Sequence, residues 1–190
     1  MKKFLLTLIV VVAAIALSPI VGNSVAQNIL KERVSLLTSN GLKLNNETTE
    51  STYLQTKKHY EFLVSDAPMF IGHLNKYSDA QVPSYVDAML NGVALGVDIE
   101  YSNFPLNSKI SIDIYPLSLS ESIMDELKKD DVNFYNYVKS LLESKGVLYH
   151  INYDISDKHF DGFIKNMDEN YVFDNGTKIS FKLLDATYTG

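Results

Sequence analysis

Hydrophobic residues at alternate positions predict β-strands in the middle of the chain. They occupy every second position in residues 93–101, 110–114 and 147–155, and all the residues between them except Leu148 are small or polar. This two-residue period is typical of a sheet that has one buried face. The first two segments are joined by a connection with turn-forming residues, which favours antiparallel pairing. A β-prone stretch at residues 42–64 predicts two further strands, paired as a hairpin.

Hydrophobic residues three or four positions apart predict the helices. One such stripe runs over residues 21–37, and a second covers residues 123–142. Ser118 and Glu121 have the spacing of a capping box, in which the hydroxyl and the carboxylate bond free amides at a helix start. The second helical stretch is therefore expected to begin there.

Turn-forming residues divide the remaining stretches. Asp130-Asp131 favour a division of the second helical stretch into two helices, and a short helix is predicted at residues 83–90. Near the C-terminus, Asn175-Gly176 separates two strand-like runs. These two residues are expected to supply the positive φ angles of a type I′ hairpin turn.

Together these elements predict an α+β fold. The expected architecture is a largely antiparallel sheet of six to eight strands with two main helices packed on one face, preceded by an N-terminal signal or anchor helix. Residues 27–190 are expected to form a single domain, because this length suits one core of ordinary size. A composition of 46% hydrophobic and 21% charged residues excludes a coiled coil, a collagen and a disordered chain.

Residues 1–26 have the pattern of an export signal. Lys2 and Lys3 precede the apolar segment 4–22. The segment is followed by small residues, ending at Ala26, at the positions recognised in a signal-peptide cleavage site. Cleavage after Ala26 is one prediction; an uncleaved anchor is the other, because the apolar segment nearly spans a hydrocarbon core. Both alternatives place residues 27–190 outside the cytoplasm. The protein is therefore expected to be periplasmic or secreted, or held in the inner membrane by residues 4–22.

Charge and composition remove several classes of partner and chemistry. Lys and Arg number 17 against 23 Asp and Glu, for a net charge of −6, and the cations are not clustered. Nucleic acid is therefore not expected as a partner. The chain has no Cys, so disulfides and thiolate chemistry are excluded. It also lacks a Gly-rich phosphate loop, a Gly-x-Ser-x-Gly elbow and a His-Glu-x-x-His pair, so neither an enzyme nor a cofactor is predicted.

The best polar cluster in the sequence contains His150, Asp154 and His159. Imidazole and carboxylate groups are ligands for zinc or manganese, so these three residues are the candidate metal ligands. The alternative is that they form the solvated face of a half-buried sheet, opposite Tyr149 and Ile151. The sequence favours this second interpretation, because polar residues at such spacing are common in strands and turns.

Tyrosine is abundant, with 12 residues in the chain. A ligand-contacting belt is one hypothesis for five of them, since an aromatic ring buries area while its hydroxyl tolerates water. Ordinary packing is the favoured alternative, because Tyr prefers strands. The five residues are Tyr135, Tyr137, Tyr149, Tyr153 and Tyr171.

The N-terminal part resembles a known family. An apolar leader, the segment Ser18-Pro19-Ile20-Val21-Gly22, a helix over residues 25–37 and Gly41-Leu42-Lys43-Leu44 before a β-rich stretch are similar to the start of the YdgA-like family of bacterial cell-envelope proteins. The resemblance implies a place in the cell envelope, and it implies that residues 1–190 correspond to an N-terminal portion. It carries over no functional residue, because the family has no assigned activity.

Three functions are compatible with these features. The leading hypothesis is a non-enzymatic, exported or inner-membrane-tethered cell-envelope module that binds a protein or lipid partner, which predicts an apolar or aromatic surface patch. The second is a small-ligand or lipid-binding module with an apolar groove. The third is a metal-dependent hydrolase that uses His150, Asp154 and His159.

Overall fold

The computed structural model describes residues 22–52, 55–76, 86–103, 109–154 and 156–190. Residues 1–21 of the predicted signal or anchor segment, 1–26, lie outside the described residues, as do the first three residues of the short helix predicted at 83–90; residues 22–26 form the start of a helix. Among the described residues, no helix has the length and hydropathy that crossing a bilayer requires.

Helices and strands alternate irregularly along the chain. The helices are α1 (Gly22–Thr38), α2 (Ala67–Leu74), α3 (Val86–Leu90), α4 (Glu121–Asp130) and α5 (Val132–Glu143). The strands are β1 (Leu42–Ser51), β2 (Gln55–Val64), β3 (Ala94–Ser102), β4 (Lys109–Ser118), β5 (Tyr149–Asp154), β6 (His159–Ile164), β7 (Met167–Val172), β8 (Lys178–Leu183) and β9 (Thr187–Thr189).

The described strands form a seven-stranded antiparallel sheet and a separate two-stranded one. The large sheet has the order β1-β2-β3-β4-β5-β6-β9, and β7 pairs with β8. Each strand of the large sheet is the neighbour of the one before it in sequence, except that the β7–β8 hairpin lies between β6 and β9. The prediction of an α+β fold with a largely antiparallel sheet is confirmed.

One face of the large sheet carries the core. The alternating hydrophobic residues of the sequence are the ones that the fold buries, and residues of α1, α2 and α3 join them in one cluster. From the three central strands the buried residues are Leu95, Val97, Ile99, Tyr101, Ile110, Ile112, Ile114, Tyr149, Ile151 and Tyr153. The period of two therefore predicts both the strands and their buried side.

The helices differ in part from the expected two. The described residues contain five helices, and α1, α2 and α3 supply the helical part of the core. Along α4 no residue is fully buried, and along α5 only Leu142 is. The predicted division at Asp130-Asp131 is confirmed: Asp131 caps α5, and its Oδ1 accepts a hydrogen bond from the Phe134 amide at 2.9 Å.

The cap of α4 is Ser120 rather than the predicted Ser118. Ser120 is buried, and its Oγ accepts a hydrogen bond from the Ile123 amide at 3.4 Å. Ser118 is still part of β4, where it pairs with Ala94. The helix begins two residues later than the capping-box spacing indicates because the strand continues through Ser118.

The predicted C-terminal hairpin is confirmed, but its turn is of another type. Within residues 173–177, Gly176 has a positive φ of 82° and Asn175 does not. The Gly176 amide bonds the Phe173 carbonyl at 2.9 Å, and the Phe173 amide bonds the Thr177 carbonyl at 2.8 Å. This pattern is that of a three-residue loop with a glycine bulge, which needs one left-handed residue where a type I′ turn needs two.

Candidate functional site

The β7–β8 hairpin is held against α5 by aromatic side chains. The ring of Phe134 lies 4.8 Å from that of Tyr171 and 5.0 Å from that of Phe173, centre to centre. Tyr137 lies 5.1 Å from Tyr171, and its hydroxyl donates a 2.5 Å hydrogen bond to the carboxylate of Glu169. Burial and this bond raise the pKa of Tyr137 to about 12. The hydroxyl therefore stays protonated, and continues to donate, further into the alkaline range than an ordinary tyrosine does.

The face of the hairpin that meets α5 continues into exposed hydrophobic residues on β8. Tyr171 pairs with Ile179 and Glu169 pairs with Phe181, so these side chains point to the same side of the hairpin. Ile179 is 46% exposed and Phe181 is 40% exposed. Large hydrophobic side chains on a strand normally face a core. This exposed pair is therefore a candidate binding surface.

No strand of the described residues covers the outer backbone of β8. The described part of the chain gives β8 one neighbouring strand, which is β7. Because Phe173 and Thr177 form a hydrogen-bonded pair, Ile179 and Phe181 also direct their peptide groups toward β7. Lys178, Ser180 and Lys182 then direct their N–H and C=O groups to the open side. We call Ile179, Phe181 and these outward peptide groups the β8 edge surface.

The polar face of the large sheet carries a second arrangement, a row of ionisable residues across four strands. His59, Asp98, Asp113 and His150 are successive partners in register on β2, β3, β4 and β5. His59 Nδ1 lies 2.6 Å from Asp98 Oδ1, and His150 Nδ1 lies 2.7 Å from Asp113 Oδ1. Each imidazole thus lies between a carboxylate on the next strand and a second acceptor on its own strand.

Asp98 is the most connected residue of this row. Its Oδ2 accepts a hydrogen bond from Lys145 Nζ at 2.7 Å and another from the Tyr115 hydroxyl at 3.0 Å. Burial acts to raise the pKa of Asp98, but the hydrogen bonds from Lys145, His59 and Tyr115 outweigh it, and the pKa is lowered overall. Lys145 also lies 3.9 Å from the centre of the Tyr115 ring, a cation–π contact. This network ties the end of α5 to the sheet.

The structure separates His150 from the other two candidate metal ligands, Asp154 and His159, which are paired across β5 and β6. His150 and Asp154 lie on the same face of β5, four residues apart, which is roughly 13 Å at the rise of a strand. His150 is engaged with Asp113 and Asn152, while Asp154 accepts hydrogen bonds from Ser156. His159 is exposed opposite Asp154 on β6. Among the described residues, no three His, Asp or Glu side chains are grouped to hold a metal ion.

A shallow depression of about 370 Å³ lies beside this row on the sheet. All of its lining residues except Ile110 are polar or charged; they are Gln55, Glu100, Ser102, Lys109, Ile110, Ser111 and Asn152. Gln55 and Lys57 already bond Glu100 within it. The depression therefore differs from the apolar groove that a lipid or small-ligand module predicts.

The five tyrosines of the belt hypothesis lie in different places. Tyr149 and Tyr153 are buried in the core, and Tyr137 and Tyr171 pack between α5 and the hairpin. Tyr135 lies under Lys128 on the helical layer. These positions fit the packing alternative.

Two features were missed from the sequence. His59 is isolated in sequence, although it contacts Asp98, 39 residues further on. The signal is its place with Lys57 and Glu61 on the polar side of a strand predicted to pair. The exposure of β8 was also missed, since the run Lys178–Leu183 has the alternation of a half-buried strand.

The chain matches no known family, no curated protein and no solved structure. The resemblance to the YdgA-like family therefore stays a prediction.

Proposed function

We propose that this protein is a non-enzymatic binding module of the cell envelope, exported or tethered to the inner membrane, and that it binds another polypeptide through the β8 edge surface. The observation that carries the proposal is the combination of exposed Ile179 and Phe181 with an open strand edge. Natural sheets usually cover or shorten such edges, because an exposed hydrophobic edge recruits another strand.

A polypeptide fits this surface better than a lipid does. The outward peptide groups of Lys178, Ser180 and Lys182 offer alternating donors and acceptors along one line. An added strand can satisfy both kinds in turn, whereas acyl chains satisfy neither. Pockets or rings for Ile179 and Phe181 on the added strand would then supply specificity.

The alternative functions have less support. A small-ligand or lipid-binding module would use a hydrophobic groove, and the depression beside the polar row is lined by charged and polar groups. A metal-dependent hydrolase would need His150, Asp154 and His159 to converge, and their side chains are engaged elsewhere or exposed. Export and tethering are supported by the leader of residues 1–26 and by the resemblance to an envelope family.

Photo-crosslinking in the expressing cell tests the binding surface. A benzophenone side chain replaces Phe181 in the full chain, and in a matched control it replaces Val172, which is 57% exposed on the other strand of the hairpin. We expect a protein adduct from position 181 and little from position 172, because Val172 points to the opposite face. No adduct at 181, or equal adducts at both positions, would overturn the proposal.

A further inference from the structure

We infer that the polypeptide bound at the β8 edge surface is a second copy of this chain, with the two β8 strands paired antiparallel about a twofold axis at Phe181. This inference rests on the proposed function and names its partner. The resulting sheet has the order β7-β8-β8-β7 and continues the hairpin of each copy into the other.

The backbone of β8 limits the pairings that a twofold axis allows. An axis perpendicular to the sheet keeps each side chain on its own face, so it must pass through a residue position rather than between two. The outward peptide groups belong to Lys178, Ser180 and Lys182. Two axis positions near the middle of β8 let these peptide groups form hydrogen bonds with the second copy. One lies at Ser180 and the other at Phe181.

Charge and hydrophobicity separate the two axes. An axis at Ser180 places Lys178 opposite Lys182 of the second copy, twice, and like charges directly opposite destabilise a sheet. An axis at Phe181 places Ser180 opposite Lys182 of the second copy instead. The axis at Phe181 is therefore favoured, and it leaves no lysine facing a lysine.

The same axis aligns the hydrophobic residues. Phe181 meets Phe181 of the second copy, and Ile179 meets Leu183 of the second copy on both sides of the axis. These are non-hydrogen-bonded pairs, in which side chains approach most closely. The exposed Ile179 and Phe181 would thus be covered by residues of the same kind, on the face that already meets α5.

The charge of Lys182 is compensated within each copy. Its Nζ lies 2.6 Å from Asp168 Oδ2, across β7–β8. Ser180 donates a 2.6 Å hydrogen bond to Asn170 on the same face. Pairing of the two hairpins therefore does not bring uncompensated Lys182 charges together on their polar face. Because two six-residue strands make a small interface, we expect a dimer that dissociates on dilution, and covalent trapping is the suitable measurement.

The absence of Cys from the chain makes disulfide trapping specific. The full chain carrying Phe181→Cys is oxidised in the cell fraction that holds it, and Val172→Cys is the matched control. Non-hydrogen-bonded partners have Cβ atoms ~4.5–5.5 Å apart, close to disulfide spacing. We expect a linked dimer from Phe181→Cys at least about tenfold faster than from Val172→Cys. No dimer, or equal rates in the two variants, would overturn the inference.

Two further variants test the strand pairing itself. Ser180→Cys reports the other axis, and faster linkage there than at Phe181→Cys would overturn the proposed axis. Ser180→Pro added to Phe181→Cys removes an outward N–H but leaves the β7 ladder, as an edge strand tolerates. We expect the dimer to be lost while far-ultraviolet circular dichroism is unchanged. Persistence of the dimer in the variant that carries Ser180→Pro would show a contact other than strand pairing and would overturn the inference.

The two proposals fail in different ways. A photo-adduct at position 181 with twice the mass of the chain supports both. An adduct with a different protein, together with no Phe181→Cys dimer, retains the binding module and overturns the second copy as its partner. The absence of any adduct overturns both.

Discussion

His59 shows how a single residue depends on its neighbours across the sheet. Its imidazole lies between Asp98 on β3 and Glu61 on its own strand. Burial is the largest influence and acts to lower the pKa of His59. The hydrogen bonds and charges of Asp98 and Glu61 together outweigh it, so the pKa is raised overall. The protonated ring therefore stabilises the fold.

This shift predicts a pH dependence of stability. A folded pKa above the unfolded value of about 6.5 gives a contribution that is complete below pH 6.5 and lost as the pH rises through the folded pKa. We expect His59→Gln to lower the free energy of unfolding by about 1 kcal/mol at pH 6, and by much less at pH 9. Urea unfolding at both pH values measures the difference.

The contrary result is a loss that is equal at the two pH values, which would mean that His59 acts through packing alone. His73 does not disturb this window. Burial, with a smaller influence from Lys76, lowers its pKa, so its contribution to the pH dependence falls on the acid side of pH 6.5.

The position of His59 on a strand could be predicted from the sequence, but its contact with Asp98 could not. Alternation identifies which side of each strand faces water. The pairing of residue 59 with residue 98 depends on the register of β2 against β3. These strands are joined by a connection that contains α2 and α3, so packing of the core sets the register and no short turn does. For the same reason, the row from His59 to His150 can be identified only when the three registers between its four strands are known.

At the scale of elements, the strands of the central sheet were predicted well and the helical layer less well. An alternating strand reports its buried side directly, as at Ile110, Ile112 and Ile114. A hydrophobic stripe along a helix indicates which side of the helix faces inward, but it does not indicate how fully that side is buried. The stripe at residues 123–142 lies on helices that bury few residues fully, because they pack partly against the small hairpin.

The hairpin turn gives a prediction at this scale. Gly176 has a φ of 82° and open space around its Cβ position, so Gly176→Ala strains the backbone without a clash. We expect it to lower the free energy of unfolding by about 1 kcal/mol. The matched control is Gly72→Ala in α2, where the space is equally open and no positive φ is present.

Gly72→Ala is expected to be neutral or to stabilise the fold by up to about 1 kcal/mol, because Ala has the higher helix propensity. Thermal unfolding of the two variants beside the parent chain measures both effects. An equal response of the two variants would contradict the assignment of a left-handed residue to the turn.

At the scale of the whole molecule, the role of the leader is predicted from its sequence, whereas the folded part is described by the structure. The sequence predicts that residues 1–26 direct export or anchor the chain. The leader overlaps the start of α1, but the described core residues of that helix begin at Leu30. The two predictions for the leader differ in the mass of the mature protein.

Intact mass of protein from membrane and periplasmic fractions distinguishes these predictions. A soluble species that begins at Gln27 is expected if the signal is cleaved, and a full-length species in the membrane is expected if residues 4–22 form an anchor. Full-length protein found in the soluble cytoplasmic fraction would contradict export in either form.

The order of strands in the large sheet bears on how the molecule is assembled. From β1 to β6, each strand pairs with the strand that precedes it in sequence. During synthesis, the partner of each new strand has therefore already been made. Pairing between consecutive strands keeps contacts closer in sequence than other strand orders would, even where helices lie in the connection as between β2 and β3, and this favours faster folding. A chain that emerges from its N-terminus can therefore lengthen its sheet in order of arrival. Among the described strands of the large sheet, the short β9 joins β6 after the hairpin has been made.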